Sequence, residues 1–138
     1  ETADKDLLKS LNITRENPYV LNYLAYSWLE RNYKIELSME MLKEAYDLRK
    51  NDPYITDSLG WGYYLINDFK NAEKYLKKAV ELMPYDPIVN DHYGDILWML
   101  NRKIQARYFW NNVLNLDETD DEMKIDVKKK IIYGIEKT

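Results

Sequence analysis

Asp52-Pro53-Tyr54-Ile55-Thr56-Asp57-Ser58-Leu59-Gly60-Trp61, continued by Ala72, Leu76, Ala79 and Pro84, is the stretch that decides the fold. Asp followed by Pro is a helix start. The carboxylate accepts from free N–H groups, and proline's missing N–H costs nothing in the first turn. The polar break at Asn67-Asp68 ends that helix. A second stripe then runs through Ala72, Tyr75, Leu76, Ala79, Val80 and Leu82 at helical spacing. Gly60, Ala72 and Ala79 are small enough to let the two helices approach closely. The stretch therefore reads as one helical hairpin.

Outward from it, the same signals recur. Asn17-Pro18-Tyr19, Asp52-Pro53-Tyr54 and Asp86-Pro87-Ile88 are spaced by 35 and 34 residues. Gly60 and Gly94 share a column with Ala25. Ala72 pairs with Ala106, Ala45 with Ala79 and Val113, and Leu42 with Leu76 and Trp110. Several columns on one period mark a repeat array. The pattern predicts helices over 18–30, 35–50, 53–66, 69–83, 87–100, 103–117 and 121–136. Residues 3–13 read as one more, with Leu7, Leu11 and Ile13 in the columns of Leu76, Val80 and Leu82. The expected units are a truncated preceding repeat over 1–17, repeats over 18–52, 53–86 and 87–120, and a C-terminal capping or partial-repeat helix over 121–138. No segment alternates long enough to be a strand. The expected fold class is an all-α, right-handed solenoid of antiparallel hairpins.

Composition narrows the function. The chain has 138 residues, with 24 acids against 20 bases and a formal net charge of −4. That balance argues against a nucleic-acid surface and against a polybasic membrane patch. No apolar run is long enough to insert in a bilayer. The absence of cysteine excludes disulfides, thiolate metal sites and cysteine nucleophiles. No signal peptide is evident, and a start at Glu1 suggests a mature form or an excised fragment. Thirteen tyrosines and four tryptophans are many for this length, and they suit an interaction surface better than an active site.

The pattern Leu59-Gly60, Tyr63, Ala72, Leu76, Ala79, Pro84 resembles the tetratricopeptide repeat. The third unit keeps Gly94 and Ala106, with Tyr93, Val113 and Glu118 where the pattern has Leu, Ala and Pro. The first unit carries one extra residue, with Ser38 for the first alanine and Lys50 for the proline. The stretches Asp57-Ser58-Leu59-Gly60-Trp61 and Asn90-Asp91-His92-Tyr93-Gly94-Asp95 also resemble bacterial tandem-repeat proteins, many of them exported or envelope-associated. Expected compartments are accordingly a bacterial periplasm or envelope, or the cytoplasm.

The resemblance implies a superhelix whose first helices line a concave face. Carried over residue by residue, the lining positions of unit one are Tyr19, Asn22, Tyr26, Leu29 and Glu30. Unit two contributes Tyr54, Asp57, Trp61, Tyr64 and Leu65. Unit three contributes Ile88, Asp91, Asp95, Trp98 and Met99. These positions include four acids, six aromatics and no base. The expected function is a protein–protein interaction module holding a basic, partly apolar peptide or helix. The alternative is a structural spacer of a larger repeat protein with no ligand in this groove. Members of the family that grip the acidic tail of heat-shock chaperones use lysines and asparagines on this face. Of the lining residues here only Asn22 is of that type, so that partner class is not expected.

Other constellations are weaker. Asp91, His92 and Asp95 form a D-H-x-x-D cluster with too few ligands for a metal site, and His92 is expected packed or solvated at a helix junction. No nucleophile or phosphate loop accompanies the carboxylates, so neither an enzyme nor a cofactor is expected. Lys128-Lys129-Lys130 reads as a solvated face. Weak self-association is expected through apolar ends: Leu7, Leu8, Leu11 and Ile13 at one, and two-sided Met123, Val127, Ile131 and Ile125, Ile132 at the other.

Overall fold

The computed structural model describes residues 17–136. Within them every regular element is an α-helix: α1 Pro18–Glu30, α2 Ile35–Leu48, α3 Pro53–Leu65, α4 Phe69–Leu82, α5 Pro87–Met99, α6 Lys103–Asn115 and α7 Asp121–Tyr133. The helix predicted over 3–13 lies outside the described residues. Each of the seven starts at the predicted residue; α1 also ends at it, and the other six end one to three residues early.

The starts of α1, α3, α5 and α7 carry a side-chain cap. Asn17 accepts from the Tyr19 and Val20 N–H groups, Asp52 from Tyr54 and Ile55, Asp86 from Val89, and Asp120 from Met123. The ends of α1, α3 and α5 have a cause the pattern did not expose. Asn32, Asn67 and Asn101 sit in the left-handed region at φ 54°, 65° and 64°. Asparagine tolerates that conformation better than other side-chain-bearing residues. After it the chain turns back, with Asp68 N–H donating to Tyr63 O and Arg102 N–H to Leu97 O. These six-to-one bonds close the helix as a Schellman turn, asparagine standing where glycine is usual.

Neighbouring helices pack in sequence, α1 on α2, α3 on α4, α5 on α6, and each hairpin on the next. One core gathers Leu21, Ala25, Trp28, Leu42 and Ala45 with Ile55 and Leu59 of α3. A second gathers Leu76, Ala79, Val89, Ile96, Trp110 and Val113 and takes Val127 of α7. Gly60 is obligatory at its contact. A Cβ there would lie 2.7 Å from Leu76 Cγ and 2.9 Å from its backbone N. Gly94 gives the same room to Trp110. The result is an all-α solenoid of stacked hairpins, and it sets α1, α3 and α5 side by side.

Candidate functional site

Along α1 the lining residues divide, and Leu29, expected in the groove, is buried in the first core instead. Tyr19 is 53% exposed and Glu30 is exposed, while Asn22 and Tyr26 are half-buried. The Tyr19 hydroxyl donates to Asp52 Oδ2 at 3.2 Å. Burial, and then the neighbouring Glu30 and Asp57 carboxylates, raise the Tyr26 phenol well above its ordinary pKa. Asn22 Oδ1 is buried without a hydrogen-bond partner. Tyr54 and Ile88 continue the outer edge at 56% and 54% exposure.

Deeper on α3 and α5 the expected geometry fails in part. Asp57 is buried rather than exposed, because His92 of α5 reaches it. His92 Nδ1 stands 2.9 and 3.1 Å from the two Asp57 oxygens and directs its proton at the carboxylate. The imidazole lies flat on Trp61, ring centroids 3.9 Å apart at 12°, and Trp61 lies flat on Tyr64 at 4.5 Å and 11°. Burial opposes the imidazolium, but Asp57, then Asp95 and Asp91, outweigh it and raise the His92 pKa. His92 is therefore packed, as one of its two expected fates had it, and it also neutralises a groove acid.

The face is not free of bases either. Lys130 of α7 places its ammonium 2.9 Å from Asp91 Oδ1 and 2.9 and 3.1 Å from the two Asp95 oxygens. Asp95 also accepts from Trp110 Nε1 at 3.1 Å. Burial, then Asp91, push the Asp95 carboxyl up to about 6 against the pull of Lys130. An ammonium thus bridges the two acids of the D-H-x-x-D cluster. Lys130 leaves the solvated face assigned to it because α7, packed on α6, lets its side chain reach Asp91 and Asp95 of α5.

Tyr64 is buried in the core between hairpins. Trp98 is half-buried and belongs to the α5–α7 junction. It donates from Nε1 to Ile135 O at 3.1 Å, packs on Trp110 and carries Lys103 and Arg107 over its ring. Trp61 is half-buried, and its Nε1 is buried without a partner. The carboxylates expected free in the groove are therefore mostly engaged, Asp57 by His92 and Asp91 and Asp95 by Lys130. Glu30 stays exposed on α1. Asp91 joins Asp120, Glu122, Asp126, Met123 and Lys130 around a cleft of about 450 Å³.

The pairing of His92 and Lys130 with groove acids is what sequence reasoning missed. Each stands 35 residues after the acid it answers, Asp57 and Asp95, a spacing one step off the repeat. Testing that offset for opposite charge would have found both.

No protein-family model matches the chain. A TPR repeat-containing protein of Pseudomonas aeruginosa is 32% identical over 92 residues, covering 67% of this chain and 15% of that protein. The chain is a tetratricopeptide-repeat protein. It spans about a seventh of that relative's length. Among solved structures, a thermophilic tetratricopeptide-repeat protein of Thermus thermophilus superposes with a TM-score of 0.77 at 17% identity, covering 93% of this chain and 71% of its own. The first tetratricopeptide domain of Spaghetti (RPAP3), bound to the HSP90 peptide SRMEEVD, gives 0.69 at 18% identity, covering 81% and 88%. These likenesses show the fold. No described helix is long and apolar enough to cross a membrane.

Proposed function

We propose that this tetratricopeptide-repeat chain is a non-catalytic interaction module that holds a peptide or helix of a partner protein along α1, α3 and α5. The observation that carries the reading is the open row Tyr19, Tyr54 and Ile88, one per hairpin, beside the half-buried rings of Tyr26 and Trp61. Large side chains repeated at one edge offer contact area at low rotamer cost. The Spaghetti domain, bound to its HSP90 peptide, supports a peptide as the kind of ligand.

The ligand is apolar first and basic second. Asp57 and Asp95 are satisfied internally, so charge selection falls to Glu30 at one end and to the carboxylates around Asp91 at the other. Binding of a basic segment weakens with salt and persists through its apolar part.

The test is a titration with two matched helical peptides, one of leucine and lysine and one of leucine and glutamate, at low and high salt. The basic peptide is expected to bind more tightly, and Tyr19→Ala with Tyr54→Ala to weaken it. Basic-peptide binding that ignores the double variant, or no binding at all, returns the chain to the spacer reading.

A further inference from the structure

Away from the row just described, the second helices form a site of opposite charge. Tyr46 of α2, Tyr63 of α3 and Tyr75 of α4 meet there. Tyr63 and Tyr75 stack with centroids 5.7 Å apart at 10°, and Tyr46 sets its ring across Tyr75 at 5.1 Å and 77°. The three border a cleft of about 400 Å³ between α2 and α4, with Leu59 also in its wall. Lys43, Lys50 and Lys74 line it as well.

The lysines are arranged on the rings. Lys43 Nζ lies 5.8 Å from the Tyr63 centroid, Lys74 Nζ 5.1 Å from Tyr75, and Lys78 Nζ 4.8 Å from Tyr46. Lys78 also donates to the Tyr46 hydroxyl at 2.6 Å and to Lys50 O at 2.7 Å. Among the described residues no ion pair engages any of the four. A single carboxylate, Asp47, lines the cleft. Cationic heads held over aromatic rings, around an apolar wall, leave their outer sides available to anions.

We propose that this cleft is a second peptide-binding site and takes an acidic, partly apolar segment of a partner protein. An apolar side chain packs against the half-buried tyrosine rings, and flanking carboxylates meet Lys43, Lys50 and Lys74. Charge complementarity selects this occupant. A peptide carrying a few carboxylates matches a local cluster of lysines. An extended polyanion also meets the repulsion of a chain whose net charge is −4. The chain then presents one face to a basic segment and the other to an acidic one, and can join two partners.

The experiment titrates the full chain with an acetylated pentapeptide, four glutamates around one central isoleucine, by calorimetry and by amide shifts. Wild type is expected to bind it, with shifts at Tyr46, Tyr63 and Tyr75. Lys43→Glu with Lys74→Glu is expected to weaken binding by at least about fivefold, and Lys43→Gln with Lys74→Gln by less. Tyr19→Ala with Tyr54→Ala is expected to leave it within about twofold. No binding by wild type, or equal binding by the lysine reversals, overturns the site. Tighter binding of a single-stranded thymidine decamer through the same lysines overturns the peptide assignment. Self-association of the free chain in sedimentation, lost in the reversals, overturns it in favour of a second copy of this chain.

Discussion

The first hairpin and the two that follow present the same columns of the repeat to the same face, yet use them differently. On α1, Glu30 and Tyr19 stand open, and Asn22 keeps an acceptor without a partner. On α3 and α5, Asp57 and Asp95 are buried and answered by His92 and Lys130. The difference lies in the next first helix. Thirty-five residues after Asp57 and Asp95 stands a base. The same step after Asn22 and Glu30 reaches Asp57 and Leu65. A column position is therefore free for a ligand only while its neighbour has no use for it.

The sharpest way to break this contrast is to remove a base. His92→Ala leaves Asp57 buried beside nothing that compensates it, and loss of one partner of a buried pair costs about 3–5 kcal/mol. Urea midpoints should show that loss, and Asp57→Asn in the same chain should recover part of it. Unchanged stability in His92→Ala would mean that Asp57 reaches water and that α3 is as open as α1.

Next in size is the packing that brings these helices together. Gly60→Leu drives a side chain into Leu76 and its backbone, and overpacking of this kind costs about 1–3 kcal/mol or more. A lower melting temperature is expected. An unaltered one would remove the close approach of α3 and α4 from the account.

A smaller effect is set by pH. His92 binds its proton more tightly folded than unfolded, so its contribution is complete below the free imidazole value, about 6.5, and is lost as pH rises through the folded value. The acids facing it are Asp57, Asp91 and Asp95, and Lys130 contacts the last two. Asp95, pushed up to about 6, works in the same sense at lower pH, because the folded chain takes up that proton first. The melting temperature of wild type is thus expected to fall between pH 6.5 and 8 more steeply than that of His92→Gln. Parallel curves would show that the imidazole does not change charge over this interval.

The period made nearly all of the fold legible. Caps at Asn17, Asp52 and Asp86 and small residues at Gly60 and Gly94 each act within one hairpin or between its two helices, and local patterns record such contacts. Of the proposed site, only the exposure of the outer row, Tyr19, Tyr54 and Ile88, was legible. Its depth was not, because the fate of Asp57 and Asp95 depends on the neighbouring first helix. A carboxylate reads alike whether it meets water or a lysine from α7. The two-sided pattern of α7 resolves the same way: Val127 is buried and Met123 and Ile131 half-buried against the solenoid, while Ile125 and Ile132 stay exposed. The apolar residues Leu7, Leu8, Leu11 and Ile13 lie outside the described residues.

The smallest expected effect tests the open half of the contrast. Tyr19→Phe removes one exposed hydrogen bond to Asp52, whose other oxygen still caps α3 through Tyr54 and Ile55. Glu30→Gln removes an exposed charge and leaves the Tyr26 phenol an amide oxygen as acceptor. Neither change opens a cavity or strands a buried charge, so each should move stability by less than about 0.5 kcal/mol. Glu30→Gln should still weaken the leucine–lysine peptide at low salt, and the loss should shrink at high salt as screening replaces it. Thermal melts and peptide titrations of the two variants separate fold from recognition. A stability loss above about 1 kcal/mol in either would show that the first hairpin also spends its polar groups on its own structure. The difference between α1 and the deeper helices would then be one of burial alone, not of use.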